Sequence, residues 1–149
     1  MLKKLIKYKF RIVLIASLTF ALACIRAFEN EIFYDPFLNY FKLNYQNQRL
    51  PEIDNFNLFL GLLFRYILNS LTSIIIIFII FKDFEMIKFV SILYIIFFIL
   101  LTISFYIILI YFIETNKMTL FYIRRFLIQP IFLLLFLTGF YFQKFQNIK

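Results

Sequence analysis

Four apolar stretches are each close to the roughly 20 residues that cross a hydrocarbon core, and the first, second and fourth have arginine inside them or at their edges. They run from about 12 to 28, 56 to 81, 89 to 113 and 119 to 142. The arginines are Arg26, Arg65, Arg124 and Arg125. An arginine at mid-membrane depth costs roughly 2.5–3.5 kcal/mol on insertion scales. A chain of 149 residues that keeps four of them must supply partners for them.

Backbone polar groups inside a bilayer must be satisfied within the protein. The stretches show no alternation of apolar and polar residues of the kind that marks a barrel strand. The expected fold class is therefore all-α: one integral membrane domain over 1–149, a bundle of four transmembrane helices with an outer loop at 29–55. Basic residues set the orientation. Lys3, Lys4, Lys7, Lys9 and Arg11 precede the first stretch, Lys82 and Lys88 fall in the second connection, and Lys144 and Lys149 follow the fourth. With an even number of spans these segments share one side, and the positive-inside rule makes that side, and both termini, cytoplasmic. The first stretch also has the basic start and apolar centre of a signal peptide, but its full spanning length favours an uncleaved anchor.

Composition closes several functional classes. The chain has no His and one Cys, Cys24, so a structural zinc site, a histidine proton relay and an internal disulfide are not expected, and neither is any cofactor. A thiol with no accompanying base lacks the activation that nucleophilic catalysis needs. Cys24 reads as a small packing residue and the chain as a non-enzyme. The formal charge of +8 belongs to orientation and lipid contact, not to nucleic acid.

The loop at 29–55 contains Asp35-Pro36, a helix start with Asp as N-cap and Pro at the first position. Phe37, Leu38, Tyr40 and Phe41 follow, and the expectation is a short amphipathic segment lying in the membrane interface. Asp54 or Asn55 is expected to cap the second span. In that span Gly61, Arg65, Asn69, Thr72 and Ser73 recur at helical spacing as one small and polar stripe, which must face the bundle or a partner. Ala16, Thr19, Ala23 and Arg26 form a similar stripe in the first span.

Depth brings the arginines together. At 1.5 Å per residue, Arg65 lies ~14 Å from the outer end of its helix, and Arg26, Arg124 and Arg125 lie within ~10 Å of theirs. Glu29, Glu31 and Glu114 are acidic residues near that depth, within reach of snorkelling guanidinium groups. Pro130 after Gln129 is expected to kink the fourth span and free the Phe126 carbonyl. The candidate site for a partner or a lipid headgroup is thus Arg26, Glu29, Asp35, Arg65, Asn69, Arg124, Arg125 and Gln129. Its surplus of positive charge favours a partner outside the chain, with the deepest arginine, Arg65, mattering most.

Four segments carry a family resemblance: Arg26-Ala27-Phe28-Glu29, Phe33-Tyr34-Asp35-Pro36-Phe37, Phe59-Leu60-Gly61-Leu62-Leu63-Phe64-Arg65-Tyr66 and Tyr122-Ile123-Arg124-Arg125-Phe126-Leu127-Ile128-Gln129-Pro130. Over nearly its whole length the chain resembles the membrane proteins associated with the exosortase F system of flavobacteria. The resemblance implies a bacterial inner-membrane accessory protein whose partner is an exosortase-like membrane enzyme, a transpeptidase-like sorter of exported proteins. It does not imply the sorting enzyme itself, whose activity is ascribed to Cys, Arg and His. Two other classes stay open: a structural subunit of an organelle-encoded respiratory complex, and a small lipid-binding or transport protein holding phospholipid headgroups. Self-association also stays open.

Overall fold

The computed structural model describes residues 2–42, 50–112 and 116–146. Among them the secondary structure is entirely helical: α1 (Leu2–Ala27), α2 (Glu29–Ile32), α3 (Phe37–Tyr40), α4 (Asn55–Phe81), α5 (Phe84–Tyr111), α6 (Lys117–Ile128) and α7 (Ile131–Gln146). Three helices are long and apolar enough to cross a membrane: α1 over Tyr8–Ala27, α4 and α5. A fourth crossing requires α6 and α7 to be taken as one broken span, since they meet at an angle of 67°. The chain is therefore an all-helical membrane protein with three candidate spans, or four if that bent pair counts as one.

Local chemistry explains the boundaries. The side chain of Asp54 accepts from the backbone N–H groups of Phe56 (3.1 Å) and Asn57 (3.3 Å) and starts α4, which is the cap expected. Helix α5 begins at Phe84, several residues before the apolar stretch, because Asp83 caps the N–H groups of Glu85 (3.0 Å) and Met86 (3.2 Å). The α4–α5 connection is only Lys82 and Asp83. Lys82 ends α4 in the left-handed conformation, φ 55°, a position usually given to Gly or Asn. Helix α1 likewise starts well before its apolar part, as Lys and Arg propagate helix readily.

Helix α4 is the hub, packing against α1, α5, α6 and α7. Its apolar face buries Leu58, Leu62, Tyr66, Ile76 and Ile77 against Val90, Tyr94 and Phe105 of α5. Rings from α7 fill the space beside the first half of α5: Phe132 stacks on Phe97 at 4.5 Å, Phe136 meets Tyr94 at 5.4 Å, and Phe140 lies between Phe81 and Phe89. Large apolar side chains such as Phe20, Ile95, Ile103 and Leu134 point outward, as on a surface solvated by lipid.

The outer loop departs from expectation. Phe37, Leu38 and Tyr40 are buried, Phe37 completely. Phe37 packs edge-on to Phe105 of α5, and Phe41 meets Phe121 of α6. Instead of offering its aromatic face to an interface, the segment is folded into the end of the bundle as a plug. Protein aromatic rings compete for that face, a tertiary contact that amphipathic spacing does not reveal. The Gln46–Asn47–Gln48 return and Arg49 lie outside the described residues.

Candidate functional site

The plug delivers a carboxylate to the arginines. Asp35 makes no cap hydrogen bond; the N-cap position of α3 is Pro36, and no side chain caps the helix. Its carboxylate accepts from Arg65 Nη1 at 3.1 Å. It accepts as well from Arg124, through Nε at 3.1 and 3.2 Å and through Nη2. The expected cap is replaced because two guanidinium groups offer the carboxylate full opposite charge and a bidentate fork, which backbone amides lack.

Gly61 makes this delivery geometrically possible. A Cβ there would sit 2.5 Å from the Tyr34 carbonyl oxygen, so the loop backbone lies directly on α4. Arg65 stands one turn further along the same face and meets Asp35, the residue after Tyr34. The stripe predicted for α4 accordingly faces inward: Gly61, Arg65, Asn69 and Ser73 are buried and Thr72 is half-buried. The α1 stripe does the opposite. Ala16, Thr19, Ala23 and Arg26 are exposed, and α1 turns Leu18, Leu22 and Ile25 inward instead.

Arg65 is the centre of the network. Only 1% of its surface is exposed. Besides Asp35 it approaches the Glu29 carboxylate at 3.7 Å and donates to the Glu29 backbone carbonyl at 3.5 Å. Its Nε has no hydrogen-bond acceptor, but the guanidinium lies over the Phe33 ring at 4.9 Å, a contact that favours a desolvated cation. Glu29 is shared in turn with Arg26 Nη1 at 2.7 Å. Arg124 is also buried and lies 5.9 Å from the Phe41 ring. The chain thus supplies internal partners for Arg65 and Arg124, and the expectation of an outside partner for the deepest arginine is corrected.

The remaining members sit at the edge. Arg26 keeps about half of its side chain exposed (51%). Arg125 is exposed and donates from Nε to Gln129 Oε1 at 2.9 Å, an i,i+4 pair outside the buried network. Glu31 is exposed and does not join; Glu114 lies outside the described residues. Asn69 donates from Nδ2 to the Ile128 carbonyl at 2.9 Å. The kink at Pro130 is present, and the carbonyl capped across the bundle is Ile128's, two residues beyond the Phe126 carbonyl expected. Phe33, Phe41 and Gly61 were not read from the sequence as parts of the site. The density of aromatic residues in an arginine-bearing chain was the available signal for the first two.

A groove of about 330 Å³ runs beside this layer. One wall is α1, with Leu22, Ala23, Ile25 and Arg26; the other is the helix break and the start of α7, with Ile128, Gln129, Pro130, Ile131 and Leu134; Asn69 and Glu29 also line it. Among the described residues, no three carboxylate or thiol groups converge as metal ligands would. The layer can do ionic binding: among the described residues, Arg26, Arg65 and Arg124 share the carboxylates of Glu29 and Asp35, with Arg125 at its edge. Compared with protein-family models, curated proteins and solved structures, the chain finds no match.

Proposed function

We propose that this chain is a non-catalytic accessory protein of the bacterial inner membrane, crossing it four times with both termini cytoplasmic, and that it binds a membrane partner through its outer-leaflet arginine layer. One observation carries the reading. Among the described residues, Arg26, Arg65, Arg124 and Arg125 carry four positive charges against the two negative charges of Glu29 and Asp35, an excess of two, and Arg26 and Arg125 are the exposed members of the layer. Positive charge held at this depth attracts an anionic or acidic partner more strongly than it would in water. The exposed small-residue face of α1 supports the same reading, as such faces let a second helix approach closely. The partner that the sequence resemblance implies is an exosortase-like sorting enzyme.

Purification of the tagged chain in mild detergent, beside an Arg26→Gln/Arg125→Gln double variant, tests this. The parent should bring the sorting enzyme with it and the double variant, at equal abundance, should not. Equal recovery with both would overturn the arginine-layer assignment. Alkaline phosphatase fusions check the orientation: activity is expected for a fusion near Asn47 and none for a fusion after Lys149.

A further inference from the structure

We propose that the groove between α1 and the α6–α7 break is a binding site for one anionic phospholipid, its phosphodiester at Arg26 and one acyl chain along the apolar walls. The inference concerns the arginine layer but not the sorting assignment; it needs only that the layer lies in a bilayer leaflet.

The groove is amphipathic along its length. Its polar end is formed by Arg26, Glu29, Asn69 and Gln129, and Leu22, Ile25 and Leu134 supply apolar wall. Leu134 is 66% exposed, so the apolar wall of the groove is open on the flank of a helix bundle whose surface is largely apolar, where lipid tails would lie. A free anion would have to cross hydrocarbon to enter; an amphiphile already in the leaflet would not.

Charge selects the kind of amphiphile. Arg26 uses Nη1 on Glu29 and keeps half of its side chain exposed, so its other donors are available. The Oε1 of Gln129 accepts from Arg125, which leaves the amide nitrogen of this groove-lining residue to donate. Cationic donors in a fork recognise phosphate bidentately. Because Glu29 and Asp35 are already engaged by three arginines, an added phosphodiester lowers the net charge of the layer, whereas a zwitterionic lipid brings a cation with it. The volume is at the small end for ligand sites, enough for one chain and the phosphate contact, with the rest of the lipid lying in the leaflet.

The test uses the full chain purified in detergent and loaded with phosphatidylglycerol or phosphatidylcholine, with bound lipid counted by native mass spectrometry. One phosphatidylglycerol per chain is expected to survive delipidation conditions that remove phosphatidylcholine. Arg26→Gln should lower its retention by about tenfold or more, the loss of a charge-assisted contact. Ala23→Phe, which fills the groove and leaves every charge in place, should lower it similarly. Arg11→Gln, at the other end of α1, should leave it unchanged. Equal retention of the two lipids, or an Arg26→Gln variant that behaves like Arg11→Gln, would overturn the site. Leu134→Trp, which narrows the groove from α7 and leaves Arg26, Arg125 and the small-residue face of α1 in place, should lower phosphatidylglycerol retention and keep partner capture, so the failure of either proposal is read separately.

Discussion

The two ends of the bundle are held together by different physics. Around the first half of α5, rings of α4, α5 and α7 interlock: Phe97 on Phe132, Tyr94 on Phe136, Phe81 and Phe89 on Phe140. At the opposite end three arginines share two carboxylates under an aromatic plug. In lipid the packed rings gain only what close contact adds over lipid contact, because tails solvate them about as well as neighbours do. The ionic end gains far more from its partners, because each guanidinium left without one faces hydrocarbon. Specificity of assembly is therefore concentrated where the apolar content is lowest.

The largest effect should come from cutting the ionic end at its shared carboxylate. Asp35→Leu leaves Arg65 and Arg124 buried with only Glu29 nearby, and removal of one partner from a buried pair costs about 3–5 kcal/mol. Thermal unfolding in detergent should show that loss, and Arg65→Lys should lose less than Arg65→Leu because charge survives while the fork does not. If Asp35→Leu unfolds at the parent's temperature, the contrast between the ends is wrong.

Gly61→Ala is next. Its Cβ would meet the Tyr34 carbonyl at 2.5 Å, and the plug must lift away, at about 1–3 kcal/mol for overpacking. Faster proteolysis between Phe33 and Lys42, with α4–α5 packing intact, would locate the damage at the plug. No change in either stability or cleavage would show that the loop is not seated on α4.

Single hydrogen bonds should matter less. Tyr66→Phe removes the donor to the Tyr94 carbonyl (2.6 Å), and Asn69→Leu removes the donor to the Ile128 carbonyl (2.9 Å). Each is expected to cost about 0.6 kcal/mol, and at most ~1.7 kcal/mol, as for other bonds between membrane helices. Asn69→Leu should exceed Tyr66→Phe, since it orphans a carbonyl at a helix break where no i+4 amide replaces it. The reverse order, measured by chemical denaturation, would remove the break from the stabilising framework.

Cys24→Ala should be within about 0.5 kcal/mol of the parent and should keep partner capture, because the half-buried thiol has no base beside it in the helix. Loss of capture at unchanged abundance would reopen catalysis through this residue.

Periodicity made α4 legible. Its stripe combined small, polar and charged residues at one spacing, and only an inward orientation satisfies them all. The α1 stripe lacked that redundancy: Ala and Thr tolerate either side of a helix, and Thr19 satisfies its own hydroxyl on the Ile15 carbonyl at 2.9 Å. Pro130 announced a break, since its missing N–H acts locally, whereas the choice of Asn69 as the capping donor depends on how α4 and α6 cross. Asp35 was the instructive case. Asp before Pro is a sound local signal for a cap, and a tertiary pair of guanidinium groups overrode it. Charge and depth put Arg26, Arg65, Arg124 and Glu29 near one level, but Asp35 as the shared carboxylate, the rings of Phe33 and Phe41, and the division between buried Arg124 and exposed Arg125 depend on tertiary packing.

The shared carboxylate also bears on biogenesis. Asp35 lies 30 positions before Arg65 and 89 before Arg124. At ordinary synthesis rates roughly 5–20 s separate Asp35 from Arg124 on the ribosome, and over that interval the carboxylate has at most one of its two guanidinium partners, that of Arg65 in α4. The bidentate contact closes when α6 arrives, so the ionic end of the bundle stays unlatched until α6 has been made and inserted.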